Sequence, residues 1–170
     1  KLANIKNAMR KVASETFTSV SAPIQYAAIK AYTDNHHQYL KSSRTILQFV
    51  SEYIYFKFTA HGINCVKPEG GFYMLCDFSK VHKIKKYKFK NAQDMCTKIL
   101  SRTGFAMLPG SDFGFSNSKL ITRIAFIDFD GNKALSKFSS LIKSDRNMVI
   151  KKLFPNIYEG VDSLINWLRK

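Results

Sequence analysis

Arg123 is the residue whose type and position most clearly suggest chemistry. It interrupts the stretch 120–127, Leu-Ile-Thr-Arg-Ile-Ala-Phe-Ile, which otherwise has the apolar character of a strand. A guanidinium in such a strand needs a partner, because an unpaired charge in a protein interior is very costly. The residues alone leave two interpretations open. One is a structural salt bridge to Asp77 or Asp128, and the other is a rigid fork that binds a carboxylate through two hydrogen bonds.

The lysine-rich segment 80–90 is a second candidate site. It holds six lysines and two aromatic residues: Lys80, Lys83, Lys85, Lys86, Tyr87, Lys88, Phe89 and Lys90. Such a mixture can bind single-stranded nucleic acid by charge and stacking. However, the segment contains no arginine, which is the better ligand for phosphate, and its place between a strand and a helix favours a solvated loop. Binding of nucleic acid or another anion through this segment is therefore the alternative function.

The histidines and cysteines form no recognisable catalytic or metal-binding pattern. They are scattered along the chain: His36, His37, His61, His82, Cys65, Cys76 and Cys96. The cysteine spacing matches no zinc motif, and three cysteines cannot all form disulfides. No nucleophile elbow and no glycine-rich phosphate loop occurs. We therefore expect no metal site, no catalytic residue in this segment, and free thiols in a reducing, cytoplasmic compartment.

Hydrophobic periodicity predicts helices first and then strands alternating with helices. The predicted helices span Leu2 to Val12, a segment beginning at Pro23, a long segment after Asp34 that ends near Gly62, and the regions 92–100, 134–142 and 148–168. The last of these is expected in two pieces around Pro155 and Gly160. Strands are predicted at 63–66, 72–78, 105–108 and 120–127.

This order of elements predicts an α/β (α+β) fold: a small mixed sheet covered by helices on one face and preceded by connecting helices. Of the 170 residues, 45% are apolar and 14% aromatic, which excludes a disordered tail. The net charge of +15 indicates either a solvated basic surface or an acidic partner. No apolar stretch approaches a membrane span, so we expect no membrane partner. Because the chain opens on Lys1 rather than Met, we also expect further protein upstream.

Four segments, in order, resemble the C-terminal part of the class I/II aminotransferases, the pyridoxal-phosphate enzymes of fold type I. The segment 19–28 is similar to the serine-rich stretch that ends in Gln-x-Ala-Ala, and 67–73, Lys-Pro-Glu-Gly-Gly-Phe-Tyr, is similar to the Pro-x-Gly-(Gly/Ala)-Phe-Tyr strand entry. The segment 104–114 resembles the Pro-Gly-x-x-Phe-Gly turn, and 122–126 resembles the Arg-(Ile/Leu)-(Ser/Ala)-Phe strand. Each motif alone is weak, but their order and spacing span nearly the whole chain.

The resemblance implies that Arg123 binds the α-carboxylate of an amino-acid substrate. It also implies that Pro109, Gly110 and Phe113 form a turn that shapes the mouth of the active site. Residues 1–33 would be the end of the large domain with its connector helices, and residues 34–170 the interdomain helix with the C-terminal small domain. The parent would be a homodimer that moves an amino group between an amino acid and a 2-oxo acid.

The same resemblance implies that the cofactor is held elsewhere in the parent protein. Family chemistry requires a lysine that forms a Schiff base with pyridoxal phosphate, and Lys1 opens into Leu2-Ala3-Asn4, which does not match the expected Ser-x-Lys context. We therefore expect residues 1–170 to bind no pyridoxal phosphate by themselves and to be inactive alone. The N-terminal large domain of the parent is then a necessary partner.

Overall fold

The computed structural model describes residues 2–17 and 19–169, and it divides between His37 and Gln38 into two compact units. The first unit holds two helices, the amphipathic α1 (Leu2–Thr16) and α2 (Ala22–Thr33). Pro23 lies in the first turn of α2, as predicted, where its missing N–H is harmless. Neither helix has a buried residue, and the apolar side chains of α1 (Leu2, Ile5, Met9 and Val12) are exposed.

The second unit is built on α3 (His37–Thr59), a 23-residue helix that carries seven buried residues. It ends where predicted, with Gly62 in the left-handed region at φ 78°. Further along the chain lie α4 (His82–Tyr87), α5 (Ala92–Thr103), α6 (Gly131–Leu141), α7 (Arg146–Leu153) and α8 (Pro155–Arg169). Asp130 caps the N-terminus of α6, since its carboxylate accepts a hydrogen bond of 3.0 Å from the Lys133 N–H.

The strands are β1 (Asn64–Cys65), β2 (Tyr73–Asp77), β3 (Leu108–Pro109) and β4 (Ile121–Ala125), in the sheet order β1-β2-β4-β3. The predicted small sheet with helices on one face is confirmed, but its pairing is antiparallel throughout rather than mixed. The turn 67–71 folds β1 back on β2 as a hairpin, and β4 returns between β2 and β3.

One face of the sheet contributes to the core. Alternate residues of the two central strands are buried, Met74 and Cys76 on β2 with Thr122 and Ile124 on β4, as the period of two along a strand requires. Met74, Cys76 and Ile124 join a cluster with apolar side chains of α3, α5, α7 and α8. Residues between them point to the opposite face, which is only half covered.

Glu52 of α3 ties three elements of this unit together. Its carboxylate lies 3.2 Å from Lys67, in the turn before β2, and 3.2 Å from Arg146, at the start of α7. Partial burial opposes ionisation, but hydrogen bonds from Lys67, Arg146 and Gln48 outweigh it and lower the pKa of Glu52. The charged form of this carboxylate is therefore favoured by folding.

Two predictions about local structure are wrong. The lysine-rich segment is not simply a loop, because residues 82–87 form the short helix α4, anchored by buried Val81 and Ile84. Gly160 does not divide the C-terminal region either. Only Pro155 does, and Gly160 lies inside α8, where an added Cβ would stand 3.2 Å from the Phe105 ring. The glycine therefore allows close packing against Phe105 instead of ending a helix.

Candidate functional site

Arg123 lies on the open face of the sheet, on the central strand β4. Its chain neighbours Thr122 and Ile124 are buried on the opposite face, so strand alternation turns the arginine away from the core. It stands opposite Leu75 of β2, and Tyr73 is therefore its diagonal neighbour. Strand pairing thus fixes where the Arg123 side chain leaves the backbone, and the residue as a whole is half-buried.

The guanidinium of Arg123 is held between two aromatic rings. Its central carbon lies 4.0 Å from the centroid of the Tyr73 ring and 3.8 Å from that of the Phe113 ring. Cation–π attraction at such distances is worth about 0.5–1 kcal/mol per ring at exposed sites and about 2 when water is excluded. The N–H donors of this planar group lie on its edges, where a carboxylate can bind.

A single 3₁₀ turn, Gly110–Phe113, positions the second ring. An added Cβ at Gly110 would stand 2.9 Å from the backbone oxygen of Ile121, so only glycine allows this turn to approach β4 so closely. Gly114 then ends the turn at φ 86° and donates its N–H to carbonyls of the turn. The Pro-Gly-x-x-Phe-Gly motif therefore brings an aromatic ring onto Arg123.

Neither predicted salt-bridge partner of Arg123 is engaged with it. Asp77 accepts a hydrogen bond of 2.9 Å from the N–H of Ser79, and Asp128 accepts one of 3.1 Å from the side chain of Asn156. Across residues 2–17 and 19–169 the structure shows four ion pairs, and none involves Arg123. The structural interpretation is therefore not supported, and the guanidinium remains without an acidic partner in the described chain.

The aromatic residues of the lysine-rich segment pack against the protein itself. The Tyr87 and Phe89 rings stack with centroids 5.6 Å apart, and Tyr87 also lies 5.3 Å from Trp167 of α8. The amine of Lys83 donates to the Trp167 carbonyl and lies 4.5 Å from the centroid of its indole. These contacts hold α4 on α8, so they give no support to base stacking by this segment.

The three cysteines are reduced, and two of them are neighbours. Cys65 and Cys76 face each other across β1 and β2 with their sulfurs 3.3 Å apart. Cys96 lies apart from them on α5, where burial, with a smaller effect of Asp112, raises the pKa of its thiol to about 11. In the part of the chain that the structure describes, no three side chains are arranged to ligate a metal ion.

Comparison with known proteins identifies the family of this chain. A family profile described as "Aminotransferase class I and II" matches residues 2–134, more than half of the chain. The chain belongs to the class I and II aminotransferases. The resemblance of the four sequence segments is thereby confirmed.

Individual aminotransferases agree with this assignment. An aspartate aminotransferase of Bacillus sp. (strain YM-2) is 34% identical over 113 residues, which cover 66% of this chain and 28% of that enzyme. An asparagine–oxo-acid transaminase of Streptococcus mutans is 29% identical over 110 residues, or 65% of this chain and 28% of that enzyme. The solved alanine aminotransferase of Pyrococcus furiosus superimposes on 99% of the chain with a TM-score of 0.73 at 21% identity, over 35% of its own length. The matched region thus spans about a third of each relative.

The sequence identifies Arg123 but not the two rings that hold it. Its motifs give Phe113 only a scaffolding role, and Tyr73 enters only as part of a strand motif. Both contacts depend on tertiary placement, one on the β2–β4 register and the other on the turn after β3. The alternation of apolar and polar positions on the two strands is the signal that could have placed Tyr73 and Arg123 on the same face of the sheet, though not beside each other.

No helix of the described chain is both long enough and apolar enough to cross a bilayer.

Proposed function

We propose that this chain is the C-terminal part of a pyridoxal-phosphate-dependent aminotransferase and that Arg123 binds the α-carboxylate of its substrate. The observation that carries the proposal is the guanidinium held between Tyr73 and Phe113 with no carboxylate partner in the described chain. Membership of the aminotransferase family supports an amino acid and a 2-oxo acid as the substrates. Both kinds of molecule carry the carboxylate that such a fork binds.

The aromatic stack favours a bidentate contact for a physical reason. The central carbon of the guanidinium contacts both rings, and its N–H donors lie on the edges of the group, in its plane, where a carboxylate binds. A carboxylate bound there by two parallel N–H···O bonds is fixed in direction as well as in distance. Residues that hold a substrate in one orientation contribute to rate because they reduce the entropy lost at the reacting centre.

We infer that the described residues do not by themselves form a site for pyridoxal phosphate. Neither β2 nor β4 carries a lysine, so the face that presents Arg123 offers no amine to bond to the cofactor. We infer that the lysine and most phosphate ligands lie in the large domain of the parent protein, and that residues 1–33 are the end of that domain with its connector helices. Residues 1–170 are then inactive alone, and residues 34–170 form the interdomain helix and small domain of a cytoplasmic homodimer.

Arg123→Ala, made in the full parent enzyme, tests the assignment. Loss of a bidentate charged contact costs on the order of 1.5–3 kcal/mol, so KM for the amino donor is expected to rise about 10- to 150-fold. Arg123→Lys is expected to recover little of the loss, because an ammonium group cannot reproduce the planar fork. Steady-state kinetics with varied donor provides the measurement.

Arg102→Ala is the matched control, since Arg102 is an exposed arginine on α5. It is expected to leave KM unchanged. An unchanged KM in Arg123→Ala, with the protein folded, would contradict the role assigned to Arg123.

A further inference from the structure

Cys65 and Cys76 form an opposed pair in the β1–β2 hairpin. The Val66 N–H bonds to the Leu75 carbonyl at 3.1 Å, which makes those two residues a hydrogen-bonded pair of the ladder. Their neighbours Cys65 and Cys76 are therefore a non-hydrogen-bonded pair, the arrangement in which opposite Cα atoms lie closest, about 4.5 Å apart. That separation falls within the range of about 4.4–6.8 Å that a disulfide can bridge.

The two sulfurs are already in contact. They lie 3.3 Å apart, and rotation of the side chains has only to shorten this distance to the roughly 2.05 Å of an S–S bond. Cys65 is half-buried at the edge of the sheet, whereas Cys76 is 1% exposed and faces the core. One thiol can therefore meet a reagent from solvent, and the other can be reached only through its partner.

We propose that Cys65 and Cys76 are a peroxide-sensitive dithiol that closes to a reversible disulfide. The Cys65 thiol loses its proton, and its sulfur attacks one oxygen of hydrogen peroxide. The O–O bond breaks, hydroxide leaves and takes up a proton to become water, and Cys65 becomes a sulfenic acid. The Cys76 sulfur then attacks the Cys65 sulfur, the S–O bond breaks, and the departing oxygen leaves as a second water with the Cys76 proton.

The order of the two steps follows from the surroundings of each thiol. The hydrogen bond with Cys65 and the burial of the side chain raise the pKa of Cys76, which keeps it protonated until a sulfenic acid stands beside it. Two thiols and one peroxide molecule thus give one disulfide and two waters. A dithiol reductant reverses the reaction by thiol–disulfide exchange.

The disulfide would close a short loop of chain that contains the turn 67–71 and Tyr73. Tyr73 is the residue whose aromatic ring contacts the Arg123 guanidinium. The disulfide would also fasten the two-residue edge strand β1 to the centre of the sheet. The crosslink restricts the unfolded chain more than the folded one. Oxidation is therefore expected to raise Tm by about 6–12 °C.

Peptide mapping of the intact protein after treatment with hydrogen peroxide tests the proposal. Trypsin cuts after Lys57 and Lys80 but not before Pro68, and a glutamate-specific protease cuts after Glu69. The two proteases together place the two cysteines in separate peptides. The expected result is that these peptides run as one linked species, lighter by two hydrogen atoms than their sum, and separate again after dithiothreitol.

Substitutions identify the sulfurs that take part. Cys96→Ser is the matched control and is expected to form the linked species at the wild-type rate, whereas Cys65→Ser is expected to form none and to show no rise in Tm. Because Cys65 is half-buried, Cys65→Ser is expected to fold. The proposal is overturned if Cys65→Ser still forms the link, if Cys96→Ser loses it, or if wild-type Cys65 accumulates as sulfinic acid with no linked peptide.

Discussion

The stacking of Phe113 on Arg123 can be measured as a coupling free energy. Phe113→Leu keeps an apolar side chain beside the guanidinium but removes the aromatic face, and Arg123→Met removes the charge while keeping much of the side-chain length. The distance of 3.8 Å between the guanidinium carbon and the ring centroid, at a ring that is 38% exposed, corresponds to about 0.5–1 kcal/mol. The loss of unfolding free energy in the double mutant is therefore expected to be smaller, by that amount, than the sum of the losses in the two single mutants.

Urea unfolding of the wild type, the two single mutants and the double mutant gives this coupling. Phe56→Leu is the matched control, because Phe56 is also exposed but contacts the Tyr55 ring instead of a cation. Its coupling to Arg123→Met is expected to be zero within about 0.3 kcal/mol. A Phe113 coupling below that limit would refute the claim that the ring holds the guanidinium.

Two further substitutions test the elements around the site. Glu52→Gln is expected to cost about 1 kcal/mol at neutral pH. Because folding lowers the pKa of Glu52, this stabilisation exists above the unfolded value of about 4.3 and disappears as the pH falls through the lower folded value. Urea unfolding at pH 7 and pH 3 should therefore show a smaller difference at pH 3, and an equal difference at both would contradict the pairing. Gly110→Ala is expected to cost about 1–3 kcal/mol, since its Cβ meets the Ile121 backbone, whereas Gly131→Ala, which meets nothing within 4 Å, should change unfolding by less than about 0.5 kcal/mol.

The long helices could be predicted from sequence because their periodicity is clear. Helix α3 repeats apolar residues along one face and ends at Gly62, and α6 begins at the Asp130 cap. Helix α4 could not be predicted in the same way, since its six residues bury only Ile84 and are otherwise rich in lysine. A helix this short is held by tertiary contacts, here those of Lys83 and Tyr87 with α8.

Contacts between strands depend on register, which the sequence does not specify. Arg123 could be singled out because it breaks an apolar run, but its pairing with Tyr73 follows from the β2–β4 alignment. Cys65 and Cys76 are eleven residues apart and match no motif, yet the hairpin places them opposite each other. The antiparallel order of the sheet could not be predicted either, because local patterns do not fix how strands from distant segments pair.

The central claim, that Arg123 binds the substrate α-carboxylate, is tested most directly by changing both partners of the contact. The measurement is kcat/KM of the full parent enzyme and of Arg123→Ala, each with an amino acid and with the corresponding amine that lacks the carboxylate. The ratio of kcat/KM for the amino acid to kcat/KM for the amine is expected to be about 10- to 150-fold larger in the wild type than in Arg123→Ala. An equal preference in the two proteins would show that the carboxylate is bound elsewhere.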